Sequence, residues 1–572
     1  MLIFTNYPIA ALLVICVAGL LPVAFARERV SRDAAFSTFN ASIGGRLLSA
    51  TPHALPCFSN YDGHAVTPDP QACSAVQKGY DFQAYRSLFY GNTMSGAWEA
   101  CLTKHESCLL DYTDPSNPLA YNGTECNQGS ISEYYLEVQE ASDVIAALSF
   151  SNATGIPLSI KNSGHDFFGR STKKGSLALW MRNLTSLGYH EAFVPTGCPS
   201  ECTSYQAITA GTAATMLDVY QFADQHNVTA VGGFSTTVAW HGGFVMGGGH
   251  GLLSPVYGMA ADHVLEYKVV TPDGQFRIAN KCQNSDLFWA LRGGGGGTFG
   301  IVLEATSWVE KQLTMQVANY TVGYTSEEAQ EFYEIVVNNT VKWSSEGWGG
   351  FVGPVVGYYM INPLITLAEA TSSLKPLSDF VIATGGNFTL QTVPSWMGFF
   401  NAHPGLDIGG VPAVPGSRLI PKETFECAEG RSELTSLMVN NPSVNVLLTP
   451  PALFNASANG TSFTPAWRCS LWHLAGLSGW NYNTTTDEIK QTFETVHDLA
   501  ETMKTIAPNS GSYFNEADVY ESNYEESFWG ENYPALLKIK QKYDPNGLLD
   551  CWRCVGWKGQ SSENFECYFD LF

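Results

Sequence analysis

The segment SIKNSGHDFFGRST, Ser159 to Thr172, sets His165 after Ser-Gly and before an aspartate and two phenylalanines. A histidine there can pack in a core, act as a base, ligate a metal or bond a cofactor as a nucleophile. No His, Asp or Glu around it has ligand spacing, so no metal centre is expected. Downstream lie three glycine blocks: Gly232-Gly233, the run HGGFVMGGGHG from His241 to Gly251, and Gly293 to Gly297. Glycine at this density brings backbone N–H groups close to a ligand, most often an anion. Three such blocks suit an extended anion such as a dinucleotide. None continues into Gly-Lys-Ser/Thr, so none is a P-loop, and GGGHG lacks the acidic residue of a Rossmann fingerprint.

These residues must be positioned by an α/β framework. SEYYLEVQ, 132–139, alternates as a strand. ASDVIAALSFSNATG has Val144, Ile145 and Leu148 at helical spacing behind a Ser142 cap, and IPLSIKNSG returns as a strand. His165 then sits just past a strand end, where α/β sheets bind ligands. A helix with Met216, Leu217, Tyr220 and Phe222 leads to a short strand ending at Gly232-Gly233. HVLEYKVVTPDG reads as a strand and turn, and SDLFWALRGGGGGTFGIVLEATSWV as helix, loop and strand. From about residue 310 the composition shifts to strands such as MQVANYTVGY alternating with helices such as TSEEAQEFYEIVVNNTVKW. A last helix is expected around 535–543.

The totals bound the rest. A chain of 572 residues with 45% hydrophobic and 15% charged residues is globular and long enough for two or three cores. Its net charge of -23 excludes non-specific binding to a phosphate backbone, so no nucleic acid partner is expected. The N-terminus has a short apolar stretch ending in Ala24-Phe25-Ala26, the pattern of a cleaved signal peptide over 1–26. No later segment is apolar enough to span a membrane. Sequons at Asn40, Asn122, Asn152, Asn183, Asn227, Asn319, Asn338, Asn387, Asn455, Asn459 and Asn483 point to N-linked glycans on a secreted protein, expected to be a monomer. Of 14 cysteines, Cys16 lies in the leader and the others suit disulfides, with at least one free thiol because their number is odd. CWRC at Cys551–Cys554 has the spacing of a redox dithiol or half a metal site, but no second C-x-x-C or His pair accompanies it.

In this order, IKNSGHDFFGRS, GGFVMGGGHGLLSPVYGMAADHVLEYKVVTPDG, DLFWALRGGGGGTFGIV and YPALLKIKQKYDPNGLL resemble the FAD-linked oxidases of the vanillyl-alcohol-oxidase superfamily. The likeness is to the fungal berberine-bridge-enzyme-like branch. GHDFFGRS looks most like the subgroup of isoamyl alcohol oxidases. The resemblance covers about 128–312 and the C-terminal return, and fades in the middle.

It implies a mixed α+β and α/β fold: a PCMH-type FAD-binding domain of two subdomains (128–312) after a Cys-rich arm (27–127). A substrate domain (313–510), an antiparallel sheet covered by helices, and a berberine-like return (511–572) complete the chain. FAD would be bound covalently through one histidine, His165, whose neutral imidazole is a competent nucleophile toward the flavin 8α carbon. Lys161, Asn162, Ser163, Gly164, Asp166 and Phe167 would line the pyrophosphate, with Asp166 orienting the imidazole or capping a turn. Gly242, Gly243, Gly247, Gly248 and Gly251 would form the second phosphate-side loop, Gly232, Gly233 and Thr236 would also contact the cofactor, and Asp262, His263 and Val264 would lie on the adenine side. Relatives with a second link use a cysteine that falls at or near Thr236. No cysteine lies between Cys202 and Cys282, so one link is implied. In SYFNEAD, Tyr513 would be the base and Asn515 a contact to the ring or substrate, with His241 as the second candidate base. A phenol with an ordinary pKa near 10 needs a positive charge nearby for that role. The activity implied is oxidation of an alcohol, or of a hydroxyl in a secondary metabolite, by O2 with release of H2O2. Carbohydrate oxidation, oxidative cyclisation, or an inactive secreted flavin-binding protein are the alternatives.

Overall fold

The computed structural model describes residues 31–572 except 324, 326, 354–356, 404–407 and 456–459. The expected leader over 1–26 and the sequon residue Asn459 lie outside the described residues.

The first α/β unit forms because the local signals agree. Tyr134–Glu137 is a strand with Leu136 fully buried, and the helix Ala141–Thr154 buries Val144, Ala147, Leu148 and Phe150. The helix starts one turn signal earlier than expected. Glu140 caps it through a capping box with Asp143, while the Ser142 hydroxyl donates to Glu140 Oε1 at 2.6 Å. Gly155 in the left-handed region ends it. The strand Leu158–Lys161 then pairs in parallel with Leu177–Trp180, which also pairs in parallel with Tyr134–Glu137. Leu47–Ser49 closes this four-stranded sheet as an antiparallel edge.

A second, five-stranded antiparallel sheet runs Phe276–Asn280, Val264–Val270, Ile301–Trp308, Tyr205–Gly211, Leu187–Phe193. The helix Met216–Gln225 has a Thr215–Asp218 capping box and buries Met216, Val219, Tyr220 and Ala223, with Leu217 and Phe222 half-buried. The strand expected to reach Gly232-Gly233 is only Val228–Thr229, because the chain then leaves the sheet to form the glycine loop. The middle of the chain builds a seven-stranded antiparallel sheet, in the order Asn387–Val393, Met315–Thr321, Gly357–Asn362, Gly349–Gly353, Asn445–Leu448, Ser470–Gly479, Ala413–Pro421. The helices Ala329–Glu346 and Ala428–Asn440 share a core with it through Val336, Trp343, Leu434 and Trp472.

The C-terminal part returns to the glycine loops. Trp529 Nε1 donates to Gly293 O at 3.1 Å. The buried Lys540 ammonium on the helix Tyr533–Tyr543 bonds Asp544, Thr298 O and Leu549 O, each at 2.7 Å. Disulfides join Cys57–Cys73, Cys108–Cys126, Cys198–Cys282, Cys551–Cys554 and Cys101–Cys567. CWRC is therefore a closed, buried disulfide, neither a dithiol nor half a metal site. Cys202, Cys427 and Cys469 are free thiols. The described sequon asparagines are exposed, except Asn40, whose side chain accepts from Leu47 N. Among the described residues no helix is long and apolar enough to cross a membrane.

One ion pair gives the fold a pH dependence. His497 Nδ1 lies 2.6 Å from Asp518 Oδ2, and Phe572 stacks on the ring. The hydrogen bond to Asp518, with Glu501 and Glu521 nearby, raises the His497 pKa. A raised folded-state pKa contributes stability that is complete below about pH 6.5, the unfolded value, and is lost as pH rises through the folded value. The melting-temperature gap between wild type and His497→Gln is expected to shrink from pH 5.5 to 8.5; a gap that is constant or widens refutes the assignment.

Candidate functional site

A cavity of about 580 Å³ opens between these layers. Its walls combine the 158–174 segment, the loop from Gly233 to Gly251, Gly296-Gly297, strands of the seven-stranded sheet and the C-terminal residues 549–552 and 564–568. Asn162, Ser163, Gly164, His165, Asp166, Phe167, Gly233, Gly242, Gly243, Gly251, Tyr513 and Asn515 all line it.

The phosphate-side wall is made of backbone. The amides of Ser163, Gly164, His165, Gly296 and Gly297 make no hydrogen bond among the described residues. Gly164 takes φ +82°, which turns the chain there, and an added Cβ would meet Lys161 at 3.0 Å. Arg170 stacks its guanidinium over Phe514 at 4.0 Å and pairs with Asp166, which leaves Nη1 buried without a partner. Free amides and an orphaned guanidinium nitrogen facing one cavity are what a diphosphate would satisfy. The residues present fit an FAD.

His165 stands over the glycine loop, with Nε2 2.7 Å from Thr237 Oγ1. The Thr237 hydroxyl donates to Gln83 Oε1 at 3.1 Å, and Ser235 donates to the same oxygen at 2.8 Å. Gln83 Nε2 donates to Ile408 O at 2.9 Å, which fixes that amide's orientation. Thr237 has one hydrogen, already donated, so it can only accept from His165. Nε2 then carries the proton and Nδ1 keeps the lone pair. Burial also pulls the His165 pKa down to about 4, so the ring is neutral in all ordinary conditions. A neutral imidazole with a defined free nitrogen is the species a covalent flavin link requires.

Tyr513 lines the same cavity. Its hydroxyl accepts from Asn515 Nδ2 at 2.7 Å and from Gly249 N at 3.3 Å. Asn515 also donates to Gly243 O at 3.2 Å, and a Cβ on Gly247 would come within 2.5 Å of its amide nitrogen. The glycines of this loop therefore let the Tyr513–Asn515 pair approach the backbone. Burial pushes the Tyr513 pKa well up, and the nearby Glu516 adds to that. His250, which shares the cavity wall, bonds Glu516 through Nε2 at 3.2 Å and stands edge-on to Tyr513.

Several residues expected at the site lie elsewhere. Lys161 points its ammonium at the carbonyls of Phe89, Tyr90 and Asn92, where it anchors the N-terminal arm, and burial lowers its pKa to about 7. Asp166 lines the cavity but accepts from Phe168 N and Arg170 and does not touch His165, so it caps a turn. His241 is fully buried, with its ring between Ala210 O and Ser307 Oγ and stacked on Trp240; it does not line the cavity and its pKa falls to about 4. Asp262 is held by Arg468, His263 lies between the carbonyls of Tyr257 and Trp308, and Val264 opens a buried strand. Gly232, Thr236, Gly247 and Gly248 sit behind the lining, and Thr237, not Thr236, reaches His165. Sequence reasoning passed over Gln83, Arg170, Thr237, His250 and Glu516. His250 and Glu516 stand inside GGGHG and SYFNEAD, motifs already singled out.

Comparison with known proteins identifies the family. The family described as FAD binding domain matches residues 132–280, and that described as berberine and berberine like matches 512–550. FAD-linked oxidoreductase ffsJ of Aspergillus flavipes is 38% identical, over 92% of this chain and 93% of its own length. The solved VAO-type flavoprotein MtVAO713 from Myceliophthora thermophila C1 superposes with a TM-score of 0.81 at 27% identity, covering 93% of this chain and 96% of its own. Glucooligosaccharide oxidase from Acremonium strictum, which carries a 6-S-cysteinyl, 8α-N1-histidyl FAD, is alike in fold: TM-score 0.61, 20% identity, 74% of this chain and 92% of that one. With the two-subdomain sheet arrangement, the amide-lined cavity and full-length similarity in hand, the chain belongs to the FAD-linked oxidoreductases of the vanillyl-alcohol-oxidase type, with a berberine-like C-terminal segment.

Proposed function

We propose that this protein is a secreted oxidase with FAD bound through His165, acting on an apolar alcohol or on a hydroxyl of a secondary metabolite. The carrying observation is the apolar lining of the cavity that Tyr513 shares. Phe351, Leu447 and Leu477 from the seven-stranded sheet, Phe234 and Phe244 from the glycine loop, and Val411 line it. Such a wall holds hydrocarbon by burial and gives a sugar few partners for its hydroxyls. Bound FAD would supply the two-electron acceptor at N5, reoxidised by O2 to give H2O2.

The chain's own residues hold and orient. His165 fixes the ring position and Thr237 fixes the tautomer of His165. Tyr513 is the group placed to take the hydroxyl proton, which it does as the phenolate; the hydrogen bonds from Asn515 and Gly249 N and the nearby Arg170 guanidinium favour that form against burial and Glu516. The sheet side chains exclude water around them. The test is peroxide release from a panel of long-chain and aromatic alcohols, terpenoid alcohols and oligosaccharides. Turnover confined to apolar alcohols supports the reading. Turnover of oligosaccharides alone, or none by a yellow protein with every compound, overturns it.

A further inference from the structure

Beside Tyr513, three side chains from distant parts of the chain converge: His250 from the glycine loop, His473 from the strand Ser470–Gly479, and Glu516. One potential ligand atom from each lies within 4.8 Å of the other two. His250 Nε2 is 3.2 Å from Glu516 Oε1, His473 Nδ1 is 3.8 Å from Glu516 Oε2, and the two imidazole centroids are 4.9 Å apart. Donor atoms around a tetrahedral zinc are separated by about 3.3 Å, given bonds of about 2.0–2.1 Å.

Hydrogen bonding within the cluster does not account for it. A His250–Glu516 bond satisfies one pair, but His473 is fully buried and neither ring nitrogen has a partner, and His250 Nδ1 is also unpartnered. Leaving a buried imidazole with no partner is costly, and its position beside a carboxylate and a second imidazole names what is missing. Trp467 stacks on His250 and stands edge-on to His473, which holds both rings in place. His250 and Glu516 also line the cavity, so the cluster is open on that side.

We propose that His250, His473 and Glu516 bind one zinc-class divalent cation, with the remaining coordination position facing the cavity. Two imidazoles and a carboxylate with one open position is the ligand set of a catalytic rather than a structural zinc site. The open position would take a substrate oxygen, an alcohol or the carboxylate of a hydroxy acid, beside Tyr513. It would also set a positive charge beside the Tyr513 hydroxyl.

The purified flavoprotein, dialysed against zinc and then against metal-free buffer, is expected to retain about one zinc per chain by elemental analysis. His473→Gln and Glu516→Gln should lose at least about 100-fold in zinc affinity, since even indirect support of a ligand is worth 10–100-fold. Cobalt(II) in place of zinc should give visible d–d bands beyond the flavin absorption in wild type alone. Zinc should raise the melting temperature of wild type and of neither variant. If a variant fails to fold, the wild-type zinc content, the cobalt bands and the loss of melting temperature on chelation decide the matter. No zinc retained by wild type, or equal zinc in wild type and folded variants, overturns the proposal.

Discussion

After acid precipitation the wild-type pellet is expected to stay yellow and the His165→Ala pellet to be colourless, its flavin wholly in the supernatant. The geometry gives the reason. His165 is neutral because burial holds its pKa near 4, and its proton is pinned on Nε2 by Thr237, whose own hydrogen goes to Gln83. The free nitrogen is Nδ1. Thr237→Val keeps the shape but removes the acceptor, so the tautomer is no longer fixed; flavin incorporation should slow while the final pellet still yellows. Thr237 is thus a positioning residue, read by incorporation rate rather than turnover. A yellow His165→Ala pellet would sink the link, and unchanged kinetics in Thr237→Val would sink the relay.

Tyr513→Phe is expected to lower kcat by roughly 10²–10⁴-fold, the usual range for loss of a proton acceptor, with little change in KM. Phenylalanine keeps the edge contacts to His250, Trp467 and His473 and deletes only the oxygen that accepts from Asn515 and Gly249. Flavin content and melting temperature should therefore stay close to wild type. Anaerobic stopped-flow bleaching of the flavin band by substrate isolates the step. A change below about threefold would move the role from Tyr513 to another group.

Much of this was legible in the chain. The strand-helix-strand unit from residue 132, the two-sheet flavin part and the segment at His165 follow from local periodicity and from motif order, which are properties of neighbours in sequence. What escaped was set by direction and by distance. Lys161 ends a strand whose side chains alternate, and the pleat sends its ammonium to the N-terminal arm rather than into the cavity. His241 stands among glycines as promisingly as His250 does, yet a kink at Gly242 buries one and leaves the other on the wall. Thr237 and Gln83 meet only after the N-terminal arm has folded across the glycine loop. His473 is on a strand of the middle sheet, where no motif marks it, so its meeting with His250 and Glu516 appears only in three dimensions.

The disulfide between Cys101 and Cys567 carries a consequence for flavin content. It fastens a segment that lines the cavity, Asn564 to Tyr568, to the N-terminal arm. Without residues 564–568 this part of the cavity wall is missing. Flavin content is therefore expected to depend on oxidation of this bond, and chains made under reducing conditions are expected to hold less flavin.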